Sequence, residues 1–240
     1  MNFKKHNTFI WVSVFAITMG IFEGAVVVYL RALYYPLGFK FPIALMNNQI
    51  VITELFRESA SLFMLLSVGI IAGKNLSQRF AWFIYSFAVW DIIYYVFLFI
   101  ILGWPESLLT WDILFLLPVT WTGPVIAPVF ISILMIFLAI MIYQFNIKSN
   151  NRTVIIRKEW LFLLSGAFII FISFIWDYSK FLILNLPNED LQKSTLSDKL
   201  INLSIHFIPK QFPWLIFMCG VGVLIFSFYL FYKRNTEISK

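Results

Sequence analysis

Residues 52–61 read ITELFRESAS and bring Glu54, Arg57 and Glu58 within about one and a half helical turns of one another. With Ser61 they fall at i, i+3, i+4 and i+7, so a helix carries all four on one face. Carboxylates in that arrangement can hold a hard cation through oxygen or carry protons, and an arginine among them sets the local charge. Glu23 and Asp91 are further acids embedded in apolar sequence. Asp91 shares its helix face with Tyr94 and Tyr95, and Trp90 is adjacent, so these three aromatics form a site wall. Gly20 and Gly24 flank Glu23 and permit close approach of a neighbouring helix. Arg31 follows Glu23 by about two turns and is placed to reach down to it.

The elements that must position these groups are membrane spans. The 240-residue chain is 61% hydrophobic and only 12% charged, against about 25% charged in a soluble domain. Apolar runs recur over about 8–31, 49–73, 80–102, 122–146, 159–183 and 212–233, each near the ~20 residues a bilayer requires. The expected fold is therefore all-α, a polytopic transmembrane bundle of six spans forming a single domain over residues 1–240. Lys4 and Lys5 precede the first run as they would in a signal peptide, but no small-x-small cleavage site follows before Tyr29, and a retained first span is expected.

With the N-terminus inside, eleven of the eighteen Lys and Arg residues fall in cytoplasmic segments, which predicts both termini to be cytoplasmic. In that orientation Glu23, Glu54, Glu58 and Asp91 come from three helices and lie between the midplane and the outer third of the membrane. Four carboxylates against Arg57 leave a surplus of negative charge, even with Arg31 included. In low dielectric that surplus must be relieved by bound protons, a bound cation or water. A cation would be hard and oxygen-preferring (Mg²⁺, Ca²⁺, Mn²⁺ or Na⁺), with Glu54, Glu58 and Asp91 as metal ligands. The alternative is a structural network in which Arg57 pairs with Glu23 and Asp91 to fix helix register.

Composition excludes other chemistries. The net charge of +6 comes from loop residues that set orientation, so no nucleic-acid partner is expected. The lone Cys219 lies in the last apolar run, where a small buried hydrophobe is expected and no Zn–Cys site can form. His6 and His206 both lie outside the spans, which argues against haem ligation and His-dependent intramembrane proteolysis.

Two outer segments are apolar but too short to span. Residues 103–121 (GWPESLLTWDILFLLPVTW), bracketed by Pro105 and Pro118, are expected to form a short interfacial or re-entrant helix capped by Trp104, Trp111 and Trp121. Residues 194–208 place Leu196, Leu200, Leu203 and Phe207 at helical spacing, as an amphipathic surface helix would, with His206 beside the stripe. Glu106 reads as a solvated interface residue, whereas Asp112 and Asp177 are placed to line an approach to the acidic layer. Around the start of the fourth span, Pro118, Gly123, Pro124 and Pro128 fit either a broken helix offering free carbonyls or a plain start with proline in the first turn.

The stretches FEGAVVVYLRALYYP, ITELFRESASLFMLLSVGIIAG and WDIIYYVFLFIILGWPESLLTWDILFLLPVTWTGPVIAPV resemble uncharacterised bacterial polytopic membrane proteins over about residues 22–130. That resemblance implies a bacterial cytoplasmic (inner) membrane and transfers no site residue. The spacing of Glu54 and Glu58 is similar to an acidic pair in undecaprenyl pyrophosphate phosphatases, without their Gly-, Ser- and Arg-rich phosphate loop. In CAAX-type intramembrane proteases an Arg follows the glutamates and histidines stand on later helices; here Arg57 lies between them.

Three functions compete. The first is binding or transport of a cation or protons by Glu23, Glu54, Glu58 and Asp91, balanced by Arg57 and Arg31. The second is a metal-dependent enzyme acting on a lipid or lipid-linked phosphate, held by Arg31 or Arg57. The third is a non-catalytic assembly subunit. Beside the lipid bilayer, a second copy or a membrane partner protein is an open partner.

Overall fold

In the computed structural model, which describes residues 3–149, 153–185 and 203–238, the apolar runs become six long helices. They are α1 (Phe3–Tyr34), α2 (Asn48–Ala72), α3 (Leu76–Leu102), α4 (Ile126–Lys148), α5 (Arg157–Asn185) and α6 (Trp214–Ile238). All six are long and apolar enough to cross a membrane. Large hydrophobics such as Trp11, Phe22, Phe56, Ile71, Ile100 and Leu215 face outward from the bundle, where lipid is their natural solvent. The chain is a multi-pass membrane protein.

Local chemistry sets the helix ends. Asn47 and Asn75 begin α2 and α3 by accepting the amides of Gln49 at 3.0 Å and Gln78 at 2.9 Å, the orphan donors of a first turn. Gly103 ends α3 at φ 63°, a left-handed conformation that favours glycine. Pro36 follows shortly after α1, where a helix cannot continue.

The α3 helix packs against α1, α2 and α4, while α5 pairs with α6. The α1–α3 approach uses the expected glycines. A Cβ on Gly20 would meet the Trp90 carbonyl at 2.8 Å, and one on Gly24 would meet the Phe97 ring at 2.6 Å. These absences of side chain bring Glu23 and Asp91 onto adjoining helices.

Residues 103–121 depart from expectation. They form no helix. Instead β1 (Trp111–Phe115) pairs antiparallel with β2 (Trp121–Pro124), with Asp112 opposite Gly123 and an irregularity between Ile113 and Phe115. Proline explains the difference: Pro105 and Pro118 remove amide donors at both ends of the segment, leaving too few residues between them for a stable helix. The β2 strand also takes residues assigned to the fourth span, so α4 begins at Ile126 with Pro128 in its first turn. The plain start is thus the observed one. The first amides there are satisfied by tertiary bonds: Val125 donates to the Thr110 carbonyl at 3.0 Å and Ile126 to Leu108 at 2.8 Å.

Aromatic contacts wedge the hairpin between the helices. Phe115 lies 6.0 Å from Trp90 and 5.5 Å from Trp121, and Trp121 stacks on Phe174 of α5 at 6.0 Å. Of the expected 194–208 helix, residues 194–202 lie outside the described residues. Leu203 and Ser204 are helical, and the exposed His206 follows in a turn. Phe207 is buried against Tyr178, Phe181 and Phe41. Cys219 is on α6 but exposed, not buried as expected, because it lies off the face that places Phe217 and Val221 in the core.

Candidate functional site

At the hairpin end of the bundle, α1, α2, α3, the hairpin, the 35–47 loop and residues 204–205 line a partly open cavity of about 290 Å³. Glu23, Glu54, Arg57, Glu58, Ser61, Asp91, Trp90, Tyr94, Tyr95 and Arg31 all line it. The sequence-assigned groups therefore converge. Asp112 joins them as a fifth carboxylate, whereas Glu106 and Asp177 are not part of the lining. Asp177 instead accepts the Lys210 amide at 2.9 Å and fastens the segment before α6.

Helix periodicity explains the convergence. Glu54, Glu58 and Ser61 are buried on one α2 face, while Phe56 and Phe63 on the opposite face are exposed. On α3, Trp90, Asp91, Tyr94 and Tyr95 turn toward the same space.

The charges are organised in three groups. Arg57 forms an ion pair with Glu23 of α1 and bonds Glu54 on its own helix, Nε to Oε2 at 2.8 Å. Ser61 donates to Glu23 at 3.1 Å. Arg57 thus pairs with Glu23 and Glu54, not with Asp91 as the register alternative had it.

Arg31 provides the second group, and it does not reach down to Glu23. Its guanidinium lies 3.6 Å above the Trp104 ring and 4.7 Å from Phe39, with Nη2 3.6 Å from Asp112 Oδ1. The hairpin offers the partner that α1 alone could not. Tyr95 donates to the other Asp112 oxygen at 3.2 Å.

Glu58 and Asp91 make the third group, and neither forms an ion pair. Glu58 accepts the Leu116 backbone amide on both oxygens, at 3.1 and 3.0 Å. That bond satisfies a backbone amide just past the end of β1, where an unpaired donor would be costly. Asp91 accepts the Ser132 hydroxyl of α4 at 2.8 Å. Leu116 and Ser132 escaped the sequence analysis because both contacts bridge distant segments.

Five carboxylates thus face two guanidinium groups, a formal surplus of three negative charges. Among the described residues, no three Asp, Glu, His or Cys side chains come together as a metal-ligand group. Glu54, Glu58 and Asp91 each have their own hydrogen-bond partner: Arg57, the Leu116 amide and the Ser132 hydroxyl.

Asp112 lies outside the helices, and burial pushes its carboxyl from the ordinary 3.8 up to about 6, against Arg31, the Ile113 amide and the Tyr95 hydroxyl, which all lower it. A raised carboxyl binds its proton more tightly in the folded state. Its contribution to stability is therefore full below about pH 4 and is lost as the pH rises through about 6. The shift corresponds to about 3 kcal/mol. Asp112→Asn should flatten the decline in unfolding temperature across this window relative to the unsubstituted protein. An unchanged slope would show that Asp112 does not titrate there.

A second buried charge lies at the opposite end of the bundle and was missed by the sequence analysis. Glu159, in the first turn of α5, is 1% exposed and receives Arg234 of α6 at 2.8 and 3.0 Å. The signal was present: an acid opens one span and an arginine closes another at the same membrane face.

These features define a multi-pass membrane protein with six long apolar helices among the described residues and an acidic, aromatic-walled cavity roofed by a β-hairpin. Comparison with protein-family models, curated proteins and solved structures finds no match to this chain.

Proposed function

We propose that this chain binds a cation or protons in the hairpin-end cavity, within a bacterial cytoplasmic membrane and with both termini cytoplasmic. The orientation rests on the Lys and Arg distribution, and the bacterial membrane on the sequence resemblance. One observation carries the binding reading: Glu58 and Asp91 border the cavity without an ion pair, while Arg57 and Arg31 are already engaged by Glu23, Glu54 and Asp112. Glu58 feels Arg57 without contacting it, whereas Asp91 is answered by the Ser132 hydroxyl alone. A charge without a counter-charge in a low-dielectric site is costly, and an incoming positive charge relieves it. Transport adds exchange across the membrane to the same binding event.

The enzyme alternative requires a metal on Glu54, Glu58 and Asp91, and the separate engagements of these residues do not favour it. The test is thermal unfolding of detergent-purified protein over a series of pH values and of Na⁺, Mg²⁺ and organic-cation concentrations, beside Glu58→Gln/Asp91→Asn. Proton- or cation-dependent stabilisation should be present in the unsubstituted protein and lost in the variant. Identical responses in both proteins would reject the reading.

A further inference from the structure

The dimensions and wall of the cavity bear on what kind of cation enters it. A volume of about 290 Å³ is far more than the roughly 10–15 Å³ that one water needs. A bare inorganic ion would occupy a small part of that space. It would also want several oxygen ligands at once, and no such carboxylate group exists among the described residues. A proton would neutralise a carboxylate and leave the volume unfilled.

The wall is mainly apolar and aromatic. Val27, Leu30, Tyr94, Trp90 and Phe115 lie around the carboxylates. Aromatic faces attract ammonium groups, and an apolar wall favours a ligand with a hydrocarbon body. Two buried donors on residues of this lining have no acceptor: Arg31 Nη1 and Trp90 Nε1. Buried donors are normally paired, so these two point to an acceptor brought by a ligand, independently of the acidic charge.

We propose that the cavity binds a small organic amine: an ammonium group answering Glu58 and Asp91, an apolar body against the aromatic wall, and a hydrogen-bond acceptor. This rests on the cation-binding reading and narrows it to a class of ligand. The 35–47 loop lines one side of the site, and within it Ala44 donates its amide to the Tyr35 hydroxyl at 2.7 Å.

The experiment is thermal unfolding and intrinsic tryptophan fluorescence of the full chain in detergent. The probes are phenylalaninol and ethanolamine, beside hydrocinnamyl alcohol as a neutral comparator and Na⁺ and Mg²⁺ salts at matched ionic strength. Phenylalaninol should raise the unfolding temperature saturably, as a ligand of the folded state does, and more than ethanolamine does. Hydrocinnamyl alcohol should not. Asp91→Asn keeps an acceptor for Ser132 and should weaken phenylalaninol binding by about tenfold or more. Trp90→Phe keeps a smaller aromatic face and removes the unpaired donor; it should weaken binding several-fold.

An equal response to hydrocinnamyl alcohol would overturn the proposal. So would an unchanged affinity in both variants, or no response to either amine. If Na⁺, Mg²⁺ or protons alone act through Asp91, the cation reading survives and the amine inference fails. If nothing acts, both fail.

Discussion

Replacing Arg57 with Met should destabilise the bundle by about 3–5 kcal/mol, the cost of leaving buried acids without their cation. Arg57 lies between Glu23 and Glu54, whose side chains are 6% and 10% exposed. Glu23 keeps one hydrogen bond from Ser61, which does not compensate a full charge. The same logic predicts rescue. In the triple variant Glu23→Gln/Glu54→Gln/Arg57→Met the charges leave together, and most of the lost stability should return. Lowering the pH should also shrink the defect of the single variant, because protonation removes the negative charge that Arg57 no longer balances. Unfolding midpoints in detergent measure all three effects. A single variant as stable as the unsubstituted protein, or a triple variant no better than the single, would show that the triad contributes little.

The distinction between this triad and the remaining acids was only partly legible in the sequence. Apolar run lengths located the six helices, because a span must cover the hydrocarbon thickness whatever its neighbours do. Helical spacing put Glu54, Glu58 and Ser61 on one buried face, and Trp90, Asp91, Tyr94 and Tyr95 toward one space. Pair identities depend on tertiary structure. Arg31 was assigned to Glu23 because both lie on α1; Asp112 became its partner only once residues 111–124 folded into a hairpin. That hairpin was hidden by composition, since five residues of WDILF carry too short a pattern to separate strand from helix. Its capture by Glu58 through the Leu116 amide joins residues 58 positions apart. Cys219 shows the same limit on α6: its membership of the helix was readable, but its outward direction follows from how α5 and α6 meet.

At the other end of the bundle, Arg234→Met should cost about 3–5 kcal/mol, whereas Glu159→Gln should cost only about 1–2 kcal/mol. The two residues share one ion pair, so the asymmetry comes from what each leaves behind. The Glu159 side chain is 2% exposed and the Arg234 side chain 26% exposed. Without Arg234, a carboxylate remains buried, with the Ile156 amide at 3.0 Å as its remaining donor. Without the Glu159 charge, Arg234 can turn toward water and still donate to the Val154 carbonyl, now at 2.7 Å. A glutamine can accept the Ile156 amide in place of the carboxylate, which preserves the first-turn contact of α5. Arg234→Lys should fall between the two, because an ammonium balances the charge but cannot reproduce the two-pronged contact at 2.8 and 3.0 Å. The pair also lies where Ser227 of α6 donates to the Glu159 carbonyl at 3.0 Å, so loosening it should release the α5–α6 contact first at this end. Hydrogen exchange at the first turn of α5 and the last turns of α6, together with unfolding midpoints for the three variants, tests the order. Equal losses for Arg234→Met and Glu159→Gln would mean that water reaches Glu159 as easily as Arg234, and that the burial asymmetry does not govern stability here.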